Sequence, residues 1–386
     1  MKKLLSISLL LISLALNAQQ IANRIPFLDG EKWGYANSQD ELVVAAEYDE
    51  AYPFYEGAAK VKKNGFYGLI DENGNIMVPV TLESMGEWRE GMIRYSKGGK
   101  DGFYDSHGIR VVGAQYGLAS EFYESRAYVK QGRMFGYIDK EGQRVVPFRY
   151  MEAFVFSDGM AKVGQKKRYG FIDRYGEEVV KPVYEYASSF YNGYASVKVR
   201  EKYGFLNKNG KLVIPCEYDN AYSFGHGIVP VQKDGKWGYI DAENETVIPF
   251  EFEAANVFAN DYIPVKKNGL WGYIDEYGYE ITNFEYEDAA QFSEGLARMK
   301  MSGKYGFIDD RGKIMIPCTF EYVSHFHCGR ALYKENGLSG YIDPNGNIVI
   351  PAKYEKAGHI FDDGIVKVEA GGQAFWIDLN GVEYRR

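Results

Sequence analysis

The 386-residue chain has only three cysteines, Cys216, Cys318 and Cys328, and only five histidines, at 107, 226, 325, 327 and 359. Three thiols allow at most one internal disulfide, so no cross-linked framework can hold the fold. No Ser-His-Asp, His-Glu-x-x-His or Gly-rich phosphate-loop pattern is present, and no catalytic residue is assigned. Runs long enough to cross a bilayer are missing as well. The longest apolar stretch, Leu4 to Leu16, has thirteen residues, against the roughly 20 that a spanning helix needs. Positive charge is in deficit, with 45 Lys and Arg against 53 Asp and Glu. Nucleic acid is therefore not an expected partner, since affinity for phosphate backbones comes from clustered Lys and Arg.

The N-terminus carries the marks of a secretory signal over residues 1–18. Lys2 and Lys3 form a basic start, the apolar stretch follows, and Asn17-Ala18 offers a small residue for cleavage before Gln19. No cysteine stands near that point to carry a lipid. Residues 19–386 are thus expected to be soluble and secreted or periplasmic. Without Lys2 and Lys3 they hold 43 basic and 53 acidic residues, a net charge of −10.

The enriched residues are Tyr (33), Phe (23) and Gly (44), a composition that favours strands and tight turns. A glycine preceded in most copies by an aromatic, and followed in most by Tyr or Phe, then Ile, then Asp, recurs at Gly34, Gly68, Gly102, Gly136, Gly170, Gly204, Gly238, Gly272, Gly306 and Gly340. Every interval is 34 residues. A late, truncated eleventh copy closes the array as Phe375-Trp376-Ile377-Asp378. The run Lys236-Trp237-Gly238-Tyr239-Ile240-Asp241, with Trp33-Gly34-Tyr35 and Trp271-Gly272-Tyr273-Ile274-Asp275, resembles the WG-containing repeat family. The resemblance covers nearly all of residues 19–386 and implies no single activity.

Within a unit the residues predict a meander. Ile228 to Val231 reads as a strand and Asp234-Gly235 as a two-residue hairpin turn, since Gly adopts positive φ freely and Asn or Asp tolerates it. Trp237 to Ile240 forms the second strand. It ends in a turn of the type Asp71 to Gly74, where Asp caps backbone amides and Gly takes the last position, replaced once by Asn244. A third strand such as Val247-Ile248 is expected to stop at proline, as at Pro79, Pro147, Pro215, Pro249, Pro317 and Pro351. The three-residue spacing of Tyr218, Ala221 and Phe224 suggests a short 3₁₀-like return. The fold expected is all-β: tandem three-stranded antiparallel meanders stacked in an open solenoid, with a closed, propeller-like array as the alternative.

Several rows of residues invite a functional reading. The turn Asp recurs at 71, 105, 139, 173, 241, 275, 309, 343 and 378, with Asn37 and Asn207 in its place elsewhere, which suits a turn rather than chemistry. A second acidic row comprises Asp49, Glu83, Glu185, Asp219, Glu253, Glu287, Glu321 and Glu355, doubled by Glu217, Glu251 and Glu285. Lysines at 62, 130, 198, 266, 300 and 334 are its expected compensation, leaving a solvated face or a stripe for a cation or basic partner. The aromatics before Gly are Trp33, Tyr67, Phe135, Tyr169, Tyr203, Trp237, Trp271 and Tyr305. They read as core between units, or, if exposed, as a glycan-stacking row.

Cys318, His325, His327 and Cys328 lie within eleven residues. Zinc uses such ligands, but the spacing fits no standard pattern, and no metal or other cofactor is expected. A Cys318–Cys328 bridge that leaves Cys216 free, or free thiols throughout, are the other readings. The third unit departs most from the repeat, with Asp101, Gly113 and Ser125 at the aromatic, proline and glycine positions. The chain is expected to be a non-catalytic extracytoplasmic scaffold that binds a protein or cell-surface component, with a glycan-binding module as the alternative.

Overall fold

The computed structural model describes residues 24–37, 39, 41–258 and 261–386. The expected signal segment at 1–18 lies outside them. Among the described residues there are strands and turns and no helix, arranged as eleven small antiparallel sheets. Among the described residues no helix is long and apolar enough to cross a membrane.

The first strands show the pattern: β1 (Ile25–Asp29), β2 (Lys32–Ala36), β3 (Leu42–Tyr48), β4 (Glu50–Tyr55), β5 (Ala58–Lys63), β6 (Phe66–Asp71) and β7 (Ile76–Leu82). The strands β4 to β7 form one sheet in chain order, and eight of the eleven sheets have four strands. The hairpin between β5 and β6 turns on Asn64 and Gly65, with φ of 54° and 82°, as a two-residue loop with both residues left-handed requires. After β6, Asp71 Oδ1 accepts from the amides of Asn73 (2.9 Å) and Asn75 (2.8 Å), and Gly74 N donates to Asp71 O (3.0 Å). Asn244 takes the glycine's place with φ of 68°. These turns are as the sequence predicts.

Three expectations are corrected. The return segment is a fourth strand rather than a 3₁₀ turn. Ala51 pairs with Val61 and Phe54 with Ala59, so Tyr52 and Pro53 on β4 together oppose Lys60 on β5. A one-residue bulge therefore produces the three-residue spacing, because it shifts side-chain alternation by one position. Proline does not end the third strand either. β7 runs through Pro79 to Leu82, and Val78 and Leu82 on it oppose Leu69 and Tyr67 on β6. Pro79 sits in that wide bulge, where the ladder needs no donor from it.

The third correction concerns the array. The chain divides into two compact units, one of residues up to Ala114 with Tyr322–Arg386, the other of Gln115–Glu321. In the first unit, Leu28, Trp33 and Tyr35 share a core with Leu332, Tyr341, Tyr354, Phe375 and Ile377. Leu28 N donates to Tyr384 O (3.1 Å), Arg386 N donates to Leu28 O (2.9 Å), and Arg386 pairs with Asp29. An open solenoid keeps its first and last repeats apart. Here they pack together, as in the closed, propeller-like alternative. In the second unit the cores are shared by successive sheets: Tyr137, Val146 and Tyr150 pack with Ala153, Val163 and Ile172 of the next.

Candidate functional site

Each recurring row has an internal partner. The turn Asp accepts from the second and fourth amides after it at 173, 241, 275, 309, 343 and 378 just as at 71, and Asn37 and Asn207 do the same. That row belongs to the turns.

Seven of the eight acids in the second row cap hairpins, Glu321 being the exception. Glu83 accepts from the amides of Gly98 (2.9 Å) and Gly99 (3.0 Å), and Asp219 from Asp234 (2.9 Å). Asp49 reaches Gly65, Glu253 Gly269, Glu287 Gly303 and Glu355 Gly371 in the same way. Glu185 does so for Arg200 and Glu201. A cation from the preceding hairpin's second strand often joins: Lys32 on Asp49, Arg168 on Glu185, Lys202 on Asp219. These cations first, and the amides with them, hold the three carboxyls below the usual carboxylate range.

The expected lysine row mostly stands over rings. Lys62 lies 5.2 Å from the centroid of Tyr67, Lys130 5.2 Å from Phe135, Lys198 5.2 Å from Tyr203 and Lys300 5.3 Å from Tyr305. Strand register explains this, since each lysine is directly opposite its aromatic. The aromatics themselves are taken up by the fold. Trp33 and Trp237 are each 6% exposed, Trp271 is half-buried, and Tyr222 stacks on Trp237 at 4.7 Å. The row forms no open groove for sugar rings.

The glycine after each aromatic is required by the chain's own third strand. A Cβ on Gly68 would stand 2.6 Å from Val78 O, and one on Gly170 2.2 Å from Val180 O. Both contacts are to the bulge around the proline position. At Phe375 the glycine is dispensed with, in a sheet that has no third strand beyond Gln373–Asp378.

All three cysteines are free thiols, so the Cys318–Cys328 bridge is not formed. Cys318 Sγ lies 3.2 Å from Met299 Sδ at the edge of an apolar core, and burial raises its pKa. Cys328 Sγ points to Phe361 O at 3.7 Å. Among the described residues no three His, Cys, Asp or Glu groups gather to hold a metal ion. In the third unit, buried Asp101 accepts from Ser96 Oγ at 2.6 Å, so the missing aromatic is replaced by an internal polar contact.

What remains is where the rows break. The acidic cap is absent at Gly117 and Met151. The backbone there is unchanged: Met151 N donates to Gly164 O at 3.0 Å, as Glu185 N does to Lys198 O at 3.1 Å. Met134 stands where Lys32, Arg168 and Lys202 supply their cations in the other units. The hairpin that the cap would serve turns on Lys166 and Lys167, with φ of 50° and 60°, and among the described residues no side chain accepts from their amides. Two left-handed lysines in succession are costly for residues with a Cβ. The exposed apolar residues Met151, Val183, Tyr186 and Val199 lie on this hairpin side, with Arg149, Lys166, Lys167, Arg168 and Arg200 also exposed. Residues 126–211 carry 17 basic and 9 acidic side chains, whereas 212–288 carry 4 and 15. Sequence reasoning missed this patch because its signal is a gap in a row whose role depends on contacts fifteen residues away.

The comparisons agree with the period. The repeat family described as WG containing repeat matches residues 33–65, 67–100, 135–168, 169–203, 203–237, 237–271, 271–305, 305–338 and 340–373. The unmatched third unit is the one that carries Asp101. No curated protein sequence matches the chain. Among solved structures, a eukaryotic initiation factor is similar at 12% identity over 76% of this chain and 95% of that one, with a TM-score of 0.43. Hsv2 from Kluyveromyces lactis is similar at 6% identity over 57% and 90%, TM-score 0.35. BamB from Moraxella catarrhalis is similar at 11% over 69% and 90%, TM-score 0.33. With nine matched repeats across most of its length, the chain belongs to the WG containing repeat family.

Proposed function

We propose that the protein is a non-catalytic repeat scaffold that acts outside the cytoplasm and binds a protein or a cell-surface component. One observation carries this reading: the recurring polar and aromatic rows are engaged by the fold, while large exposed apolar side chains concentrate in residues 151–222. Met151, Tyr175, Val183, Tyr186, Tyr191, Val199, Leu212 and Tyr222 are exposed within 72 residues. Exposed apolar surface of that density marks a protein-contact region more often than a solvated one. The secretory character of residues 1–18 supports the location. The half-buried and buried Trp row leaves the glycan reading without an exposed platform.

The test is capture. Immobilised chain is incubated with cell-envelope extract, and the retained proteins are compared for wild type and a Tyr186→Ala/Val183→Ser double variant. The scaffold reading expects one or a few retained components that the double variant loses while its circular dichroism is unchanged. Retention of nothing, or turnover of an envelope substrate by the chain itself, overturns it.

A further inference from the structure

Resting on that reading, the geometry points to a docking site for an acidic segment of a protein partner, centred on the uncapped hairpin Lys166-Lys167. Seven hairpins of this chain hold an Asp or Glu carboxylate on their turn amides: those served by Asp49, Glu83, Glu185, Asp219, Glu253, Glu287 and Glu355. A carboxylate is therefore the ligand this backbone shape accepts.

At Met151 the same backbone position is present, held by the same amide-to-carbonyl bond, but the side chain is a thioether. Lys166 and Lys167 stand fifteen and sixteen residues after Met151, the positions whose amides a carboxylate takes at Gly98 and Gly99, and both are left-handed as Gly98 and Gly99 are. Adjoining turns of this type form an anion-accepting concavity, and here the turn residues are themselves cations, followed by Arg168. Charge complementarity selects an acidic partner, because the segment around this hairpin is the basic part of an acidic chain.

The partner is a protein rather than a simple anion because of what surrounds the amides. Met151, 52% exposed, occupies the vacant capping position itself, and Tyr186, 42% exposed, follows Glu185, whose carboxylate pairs with Arg168 of this hairpin. Both offer exposed apolar surface to the residues beside the seated carboxylate. A short segment with Glu or Asp beside aromatic or aliphatic residues fits this chemistry.

The decisive variant is Met151→Glu, which supplies the missing cap from within the chain. The probe is a fluorescein-labelled peptide of alternating Glu and Tyr, with a Gln/Tyr peptide as its uncharged counterpart, read by anisotropy on the full chain. Wild type should bind the Glu peptide, and the Gln peptide should bind about tenfold more weakly, as expected when charge-assisted hydrogen bonds are lost. Met151→Glu should reduce Glu-peptide binding to the Gln-peptide level and raise the midpoint of thermal unfolding, while Met151→Leu should bind as wild type does. Equal binding of both peptides, undiminished binding by Met151→Glu, a lowered midpoint, or full displacement of the peptide by millimolar sulfate would each overturn the site. If Met151→Glu keeps the envelope partner captured by wild type, this site fails while the scaffold reading stands.

Discussion

The hydroxyl of Tyr239 donates to the carbonyl of Asn256 at 3.0 Å, seventeen residues on in the segment that leads into the next sheet. The same step joins Tyr35 to Tyr52 at 2.7 Å, Tyr137 to Phe154 at 2.8 Å, Tyr273 to Ala290 at 2.8 Å and Tyr341 to Gly358 at 2.8 Å. Each ring is buried. The tyrosine after the repeat glycine is thus a bolt between successive units, with an apolar body in the shared core and a hydroxyl that satisfies a backbone acceptor.

That arrangement predicts alkaline instability. Burial raises the pKa of all five phenols, and pushes Tyr150 and Tyr218 up to about 12. An acid raised on folding contributes stability that is intact below its unfolded value of about 10 and is lost as pH rises above it. Spectrophotometric titration should show these phenols ionising only together with loss of the β signal, at pH above about 10. Ionisation of nearly every tyrosine near pH 10 with the fold intact would contradict the packing.

The repeat glycines should respond unequally to alanine. A Cβ on Gly170 meets Val180 O at 2.2 Å and Lys181 C at 2.5 Å, all backbone. One on Gly272 meets only the Phe284 ring at 3.0 Å and Asn283 O at 3.1 Å, in the two-stranded sheet where no full third strand closes over it. Gly170→Ala should cost about 3 kcal/mol, the scale of forced overpacking, and Gly272→Ala about 1 kcal/mol. Urea denaturation of the two variants checks the order, and equal costs would remove the bulge as the reason for the glycine.

Removing Glu383–Arg386 should destabilise the chain well beyond the last repeat. The deletion takes away buried Tyr384 and the backbone bonds Leu28 N to Tyr384 O (3.1 Å) and Arg386 N to Leu28 O (2.9 Å). The expected loss is about 3 kcal/mol from one buried aromatic and a few hydrogen bonds. Hydrogen exchange should rise at Leu28 and Tyr35 as well as at Phe375. Faster exchange confined to residues after Ile365 would indicate an open end that frays alone.

Sequence resolved what is local. The 34-residue period, the Asn64-Gly65 hairpin and the Asp71 turn each rest on residues within a few positions of one another, so pattern alone reaches them. Proline at 79 misled because its missing donor reads as a strand end, whereas the structure tolerates it in a bulge that also explains Gly68. Ala51 and Phe54 misled because bulge spacing and 3₁₀ spacing are both three. Closure was invisible to the period, since Tyr384 lies beyond the last copy of the motif and its partner Leu28 before the first. The uncapped hairpin was hidden for a related reason: Met151 is ordinary until Glu83 and Asp219 are seen to hold amides fifteen residues away.

In the proposed reading the recurring rows are scaffold and binding centres on the hairpin where the acidic row breaks. Hydrogen exchange of the full chain with and without its captured envelope partner tests this most directly. Protection is predicted at Arg149–Met151, Lys166–Arg168, Val183–Tyr186 and Val199–Glu201, with the Asp-led turns at 71, 241, 309 and 343 unchanged. Protection spread evenly over the repeats, or confined to those turns, would contradict it.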